Sequence, residues 1–459
     1  MDDEKKFLFI IITAAIGSFT MSYAANGLSV VLPTLASVFH ISNIMENWIV
    51  YTYLIILSIA GVPLAKICGK RGLKKSFEMG LVIFIIGSLI ASCSVNIYMI
   101  LLARAIQGIG ATMTFVTNVA IITAEIPSEK RGHALGINVT GVYTGITISP
   151  TISGILVHNL SWRFVFLITI PTALIALYLL RKIDNEWIME KGDLDKVGSL
   201  IYVIGIGLLL YGFTELNTQT GILLAIIGTV LLIIFAKYEL RQENPVYEMR
   251  LFKNINYTTA NLVALIAYLS TYVVTYVLNY HFQYILAYDA QTAGFILIST
   301  PIMMLLVAGQ AGKLSDRIKP EILQLLGVSI VTIALGMLSQ IDYNTPLYMI
   351  VIAMLLQGIG HGFFSSPNNN IVLSSVDNKK DIPTASASVA TVRNLGQAFS
   401  LGILTVCFAF IMGNVPIQAS NYHLLLESNH MTLTITTLLC GVAVILSAIG
   451  LKNSIKKNV

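Results

Sequence analysis

The stretch LLARAIQGIGATMTFVTNVAIITAEIPSEKRGHALGINVTGVYTGITISPTISG, Leu101 to Gly154, holds two long apolar segments separated by a short basic loop. The first carries Arg104 near its start, flanked by Leu and Ile; the second is rich in Gly, Ser, Thr and Pro. An arginine on an apolar segment of membrane length costs roughly 2.5 to 3.5 kcal/mol on insertion scales, which makes Arg104 a candidate functional residue. The alternative is an arginine that snorkels to the nearer interface past Leu101 and Tyr98.

Composition places that stretch in a membrane protein. The chain is 56% hydrophobic and 11% charged, with a mean hydropathy of +0.79, whereas a soluble domain carries about 25% charged residues. The opening MDDEKK runs directly into FLFIIITAAIGSFTMSYAANGLSVVLP, which is too long for a signal-peptide core and has no processing site, so it reads as the first span. Cys68, Cys93, Cys407 and Cys440 lie in or beside apolar helices without metal-ligand spacing, as packing residues do.

Crossing about 30 Å of hydrocarbon takes about 20 apolar residues. Such runs fall near 7–33, 47–67, 77–95, 97–126, 134–156, 161–181, 197–214, 221–237, 257–283, 291–312, 321–341, 346–374, 384–412 and 431–452, which predicts fourteen spans. The basic residues test that number independently, because one missed span would invert every later loop. Alternate loops and the two termini hold 25 of the 28 Lys and Arg; only Arg104, Arg163 and Arg393 stand within or at the end of spans. Both termini are therefore expected on the cytoplasmic side of a plasma membrane. The net charge of +5 reads as topology and contact with membrane lipid, not nucleic-acid binding. The opposite loops carry acids alone: Glu46, Glu215, Asp289, Asp342 and Glu427.

The sequence also repeats. RAIQGIGATM at Arg104–Met113 returns as MLLQGIGHGF at Met354–Phe363, an offset of 250, and AKICGKRG at Ala65–Gly72 returns as GKLSDRIK at Gly312–Lys319, an offset of 247. Two segments repeated in order imply two homologous halves, and transporters built this way bind substrate near the midplane and rock one half against the other. Met354 stands where the first copy has Arg104, so the arginine is an addition to a shared scaffold. Spans 7 and 8 have no counterpart. The expected organisation is a six-helix bundle over 1–181, connections and an inserted helix pair over 182–256, and a second six-helix bundle over 257–459.

Across essentially the whole chain the sequence resembles the major facilitator superfamily, and within it the fourteen-span drug:proton antiporter branch. Ala65 to Lys75 resemble the superfamily signature GxLaDrxGrkxxl. Arg104, Gln107, Gly108, Gly110 and Ala111 are similar to RxxQGxGaa, and Gly145, Ser149, Pro150, Ser153 and Gly154 to the antiporter pattern gxxxGPxxGG. SWRFVFLITIP at the start of span 6 resembles WRWxFxxNxP, and Arg393, Asn394 and Gly396 match RNxG. The resemblance implies an all-α polytopic membrane protein with the major facilitator fold, two six-helix bundles plus two inserted helices. It also implies a small-molecule exporter driven by protons. Neither cofactor, metal nor catalytic residue is expected, and the chain is expected to be monomeric.

The residues support separate physical readings. Gly141, Gly145, Ser149, Ser153 and Gly154 make a smooth helix face for close approach, and Pro150 bends that helix, which suits a gate or ordinary small-residue packing. Gly72 permits a tight turn beside Arg71, so that loop reads as a conformational latch with Asp316 as its counterpart in the second copy. The sequence departs from the family at several positions: Gly69 replaces the loop aspartate, Ala24 the span 1 aspartate of LDxTIVNVALP, Ser149 and Ser153 two span 5 glycines, and Thr169 the span 6 asparagine. None of the 23 acids reads as deep in a span. Proton coupling is left to Arg104, Glu46, Asp289, His281 and His361 as candidates. Tyr23, Asn26, Tyr51, Tyr53, Asn118, Thr144, Tyr280, Gln283, His361, Asn368, Asn369, Asn370 and Arg393 are polar or amphipathic groups on spans that line the family's cavity. The polar run SSPNNN, Ser365–Asn370, is expected to face that cavity or break its helix. Two arginines, amides and tyrosines suit neutral or anionic amphiphiles at least as well as cations.

The function expected is a secondary active multidrug or toxic-compound exporter. A dedicated exporter of one metabolite or anionic or neutral amphiphile is the alternative. A membrane sensor or enzyme is disfavoured, because no nucleotide-binding loop, nucleophile constellation or soluble domain is present in the sequence.

Overall fold

The computed structural model describes residues 3–189, 195–242, 245–315, 317–376 and 382–457, and Asp316 lies outside them. Among the described residues every regular element is helical, as a chain in hydrocarbon must be when no water can satisfy its backbone. The helices are α1 (Asp3–Asn26), α2 (Leu32–Phe39), α3 (Asn43–Arg71), α4 (Leu73–Ser92), α5 (Ile97–Glu125), α6 (Ser128–Asn159), α7 (Arg163–Leu167), α8 (Thr169–Arg181) and α9 (Lys196–Thr214). They continue with α10 (Gln219–Glu239), α11 (Ile255–Thr271), α12 (Val274–Tyr280), α13 (Ala290–Leu297), α14 (Ser299–Ser315), α15 (Pro320–Leu338), α16 (Leu347–Ser374), α17 (Ile382–Ile411) and α18 (Tyr422–Lys457). Among the described residues fourteen stretches are long and apolar enough to cross a membrane, which is the number that the charge pattern requires.

Local chemistry sets the boundaries. Span 1 ends at Asn26 and not at 33, because a turn at 27–31 precedes Pro33 in the first turn of α2, where a missing N–H costs nothing. Asn96, Thr218 and Asn254 cap α5, α10 and α11 by accepting backbone N–H bonds. The SSPNNN run does not break its helix: α16 continues through Pro367 to Ser374.

The chain divides into two compact units. Unit 1 comprises Met1–Ile41, Met45–Val203 and Asp289–Gly294; unit 2 comprises Ser42–Ile44, Ile204–Tyr288 and Phe295–Val459. Within each, the repeated glycines make the same kind of contact. In unit 1 a Cβ on Gly110 of α5 would lie 2.5 Å from the Gly80 carbonyl oxygen and 2.6 Å from the Phe84 nitrogen, both on α4. In unit 2 a Cβ on Gly360 of α16 would lie 2.7 Å from the Gly327 carbonyl oxygen and 2.8 Å from the Val331 nitrogen on α15. Gly108 meets the Tyr53 carbonyl of α3, and Gly358 the Thr300 carbonyl of α14. The QGIG motif is thus a two-sided packing surface: alternate glycines admit different neighbouring helices at backbone contact.

These contacts leave no room for a side chain. Gly110→Val and Gly360→Val should each cost about 1–3 kcal/mol or more through forced backbone shifts. Thermal unfolding of the purified protein in detergent checks this: both variants should melt several degrees below wild type. Gly61→Ala, where a Cβ meets nothing within 4 Å, should not.

Candidate functional site

Arg104 is 0% exposed, so it does not snorkel. Its Nε donates to the Ile49 carbonyl of α3 at 3.1 Å, and one terminal nitrogen donates to the Ala24 carbonyl of α1 at 3.3 Å and to Gln107 Oε1 at 2.9 Å. The guanidinium lies 4.2 Å from the centroid of the Tyr53 ring, a cation–π contact that gains strength where water is absent. These four partners are neutral. The arginine therefore ties α1, α3 and α5 together at one level of unit 1.

The network continues from Gln107, whose Nε2 donates to Ser88 Oγ of α4 at 2.8 Å; Ser88 Oγ lies 3.2 Å from Thr169 Oγ1 of α8. A small void beside the guanidinium is lined by Tyr23, Gly27, Arg104, Gln107, Phe166 and Thr169, among others. Two departures from the family pattern meet here. The backbone carbonyl at Ala24, in place of the branch's aspartate, receives the guanidinium, and Thr169, in place of its asparagine, ends the hydroxyl chain. Ser88 was missed in the sequence because a serine in an apolar helix carries no signal of its own.

Glu46 stands in the first turn of α3, as expected, and the structure adds that it is 1% exposed and that neither carboxyl oxygen has a hydrogen-bond partner. Tertiary packing over the first turn of α3 encloses it. Glu46 stands three residues before Ile49, whose carbonyl Arg104 holds. Buried polar groups are nearly always hydrogen-bonded, and an exception calls for an explanation.

The remaining unit 1 candidates separate into packing and gating groups. Tyr23 Oη lies 3.0 Å from Ser153 Oγ, Tyr53 Oη donates to the Met21 carbonyl at 3.3 Å, and Tyr51 is buried edge-on to Trp48. Asn26 donates back to the Ser22 carbonyl of its own helix. Asn118 lies within a packed junction, donating to the Ala14 carbonyl and to Ser18 Oγ, which donates in turn to Asn138. Gly145 packs on the Phe19 carbonyl of α1, while Ser149 and Ser153 are fully buried. Farther along α6, Gly154 meets the Ala290 carbonyl and the Pro150 carbonyl meets Gly294, so α6 lies at backbone contact with α13. Thr151 seals the contact by donating to the Gly294 carbonyl at 3.1 Å. One turn beyond, His158 Nδ1 lies 3.5 Å from Asp289 Oδ2, both about half exposed. The Thr292 backbone N–H, 2.6 Å from Asp289 Oδ1, holds that carboxyl below its usual range. Gly72 has φ of +108° and Arg71 beside it is exposed.

In unit 2, His281 is 1% exposed with both ring nitrogens unpartnered, at the start of a π-helical turn, His281–Ile285. Such turns recur at functional sites. Tyr280 is buried against Phe408 and Tyr284, and Gln283 donates to Asn279 Oδ1. His361 is boxed by Tyr268 and Phe364 at centroid distances of 5.3 and 5.7 Å. Asn368 accepts from Gln324, which also accepts from Ser447, so it belongs to an α15–α16–α18 junction. Asn369 and Arg393 are half-buried, and Asn370 donates to Ser315 Oγ. Among the described residues no three His, Cys, Asp or Glu side chains group as a metal site.

Known proteins are similar over the same span of chain. Riboflavin transporter RibZ of Clostridioides difficile (strain 630) is 27% identical over 407 residues, 88% of this chain and 89% of its own. Lincomycin resistance protein LmrB of Listeria innocua is 25% identical over 401 residues, 86% of this chain and 85% of its own. A crystal structure of a bacterial homolog to the human lysosomal transporter Spinster, inward-facing and unoccupied, matches with a TM-score of 0.71 at 13% identity over 99% of this chain and 98% of that one. That likeness concerns the fold alone. The sequence profile of the Major Facilitator Superfamily matches residues 14–401, well over half of the sequence, and the chain belongs to that superfamily.

Proposed function

We propose that this chain is a proton-driven exporter of drug-like amphiphiles, a transporter and not an enzyme. It would act as a monomer in a plasma membrane with both termini cytoplasmic, on a frame of two homologous six-helix bundles (1–181 and 257–459) joined through 182–256. The carrying observation is Glu46: a carboxyl enclosed without a donor, one helical turn from the carbonyl that Arg104 grips. Ionising it in place would leave a buried charge without a partner, a cost of several kcal/mol. Proton release therefore calls for a rearrangement that brings water or a donor to α3, and Arg104 is placed to convert movement of α1, α3 and α5 into that change. The His158–Asp289 pair and the α6–α13 contact would form a gate, and His281 and His361 are secondary proton candidates. Lincomycin resistance in the LmrB relative supports export of a drug-like compound.

A second reading, a dedicated transporter of one neutral or anionic aromatic compound, draws on the RibZ relative and on Tyr23, Phe166 and the Arg104 guanidinium, which line one void in unit 1. Liposomes carrying a pH-sensitive dye and challenged with cationic, neutral and anionic amphiphiles discriminate. Proton movement with several unrelated compounds establishes the exporter; movement with one compound alone establishes the dedicated transporter.

Two substitutions test the coupling. Arg104→Ala, and equally Arg104→Lys, should lower proton-driven transport about tenfold or more, since each charge-assisted bond lost is worth about 1.5–3 kcal/mol, while the protein still inserts and elutes as a single species. Normal proton-driven transport by either variant would overturn the role of Arg104. Glu46→Gln, nearly isosteric and unable to ionise, should keep substrate counterflow but lose substrate-dependent proton movement. Retained proton movement would pass the carrier role to another group.

A further inference from the structure

The segment from Ala65 to Lys75, which ends α3, turns at Gly72 and opens α4, holds Lys66, Lys70, Arg71, Lys74 and Lys75 and no acid. Its carboxylate comes from elsewhere in unit 1. After α8 the chain turns back as a strap, residues 183–189, laid along this turn. Leu73 N–H donates to the Trp187 carbonyl at 2.8 Å, and Met189 N–H to the Gly69 carbonyl at 3.0 Å. Beside the first of these bonds, Glu186 accepts from the backbone N–H groups of Lys74 at 2.9 Å and Lys75 at 3.2 Å. The N-cap of α4 is Gly72, with no side chain to cap the helix, so Glu186 satisfies two first-turn donors and sets a negative charge at the positive end of the dipole. A Cβ on Gly72 would lie 2.5 Å from the Glu186 carboxylate; the glycine serves both its positive φ and the seating of that side chain.

The strap reaches two further helix ends. Trp187 Nε1–H donates to Glu125 Oε2, at the end of α5, at 2.5 Å. Asn185 adds a longer bond to the same oxygen, and Lys6 of α1 pairs with the other oxygen of Glu125. Ile183 is buried, and its carbonyl accepts from Lys74 Nζ. Lys6 and Glu125 are 13% and 17% exposed, which shields the pair from the screening that makes surface ion pairs weak.

We propose that residues 183–189 are a clasp, in which Glu186 and Trp187 fasten the 69–75 turn and the ends of α1 and α5 so that these helix ends move as one body. Glu186 and Trp187 are positioning residues. They act on no substrate, and they transmit movement of one helix of unit 1 to the others.

Hydrogen exchange of the full-length protein in lipid nanodiscs, read by mass spectrometry, tests the clasp without reference to any substrate. Glu186→Ala should speed exchange of the Leu73–Lys75 amides at least tenfold. It should also speed exchange in the last turn of α5 and over residues 6–10 of α1, with the far halves of α4 and α5 unchanged. Trp187→Phe keeps an aromatic ring and removes the indole N–H; it should speed exchange at the ends of α1 and α5 while Lys74 and Lys75 stay protected. Glu186→Gln, which keeps one acceptor and the shape, should fall between wild type and the alanine variant and serves if the latter fails to accumulate. Acceleration confined to Lys74 and Lys75 would reduce Glu186 to a local helix cap and overturn the clasp, as would wild-type exchange in Glu186→Ala and Trp187→Phe.

Discussion

Arg104 carries a full positive charge into a site with no access to water, and unit 1 is arranged around the need to solvate it from within. A bare cation there would be expelled to the interface. It stays because two backbone carbonyls, a glutamine oxygen and the face of Tyr53 replace its water. Each partner comes at a structural cost to its helix. A carbonyl that accepts from a side chain is held at a fixed distance from it, so α1 and α3 cannot shift relative to α5 without disturbing the guanidinium. Gln107 extends the constraint to α4, and Ser88 and Thr169 extend it to α8. A single charge thus couples five helices that apolar packing alone would leave free to slide.

Glycine supplies the complementary constraint. In hydrocarbon, helices gain little from burying apolar surface against one another, so close backbone approach and dispersion contacts hold them together. Gly108 and Gly110 bring α5 against α3 and α4; Gly358 and Gly360 bring α16 against α14 and α15. The same motif does the same work in each unit, which is a physical reason for the repeat to persist at QGIG while the residue six positions before its last glycine differs between Arg104 and Met354. The scaffold is shared and the charge is not.

Glu46 acquires its meaning from this setting. A carboxyl in the first turn of a helix is unremarkable in sequence and is ordinarily wetted. Here it is enclosed near the carbonyl that Arg104 grips, so the same movement of α3 that loosens Ile49 from the guanidinium would change what surrounds the carboxyl. Coupling by this route needs no ion pair between the two residues; it needs only that both respond to one helix. The strap after α8 works on the loop ends of the same helices, where backbone groups of the 69–75 turn, Glu125 and Lys6 are drawn to one short segment.

The sequence by itself determined the helical class, the fourteen spans and the two-half repeat, because hydrocarbon thickness, the bias of Lys and Arg between loops, and a motif recurring at an offset near 250 are all properties of a linear string. It also singled out Arg104, since the cost of a charge on an apolar helix does not depend on what the helix touches. Tertiary structure alone decided what surrounds that charge. Ile49, Ala24, Ser88 and Thr169 contribute backbone carbonyls or small hydroxyls, which every helix has and no pattern marks. It decided too that Glu46 is enclosed, that Asn118 and Asn368 are committed to helix junctions, and that Glu186 and Trp187 cross back to a loop over a hundred residues earlier. Burial and partnership are pairwise properties of segments distant in sequence, and the order of residues along one chain carries them only after the chain has folded.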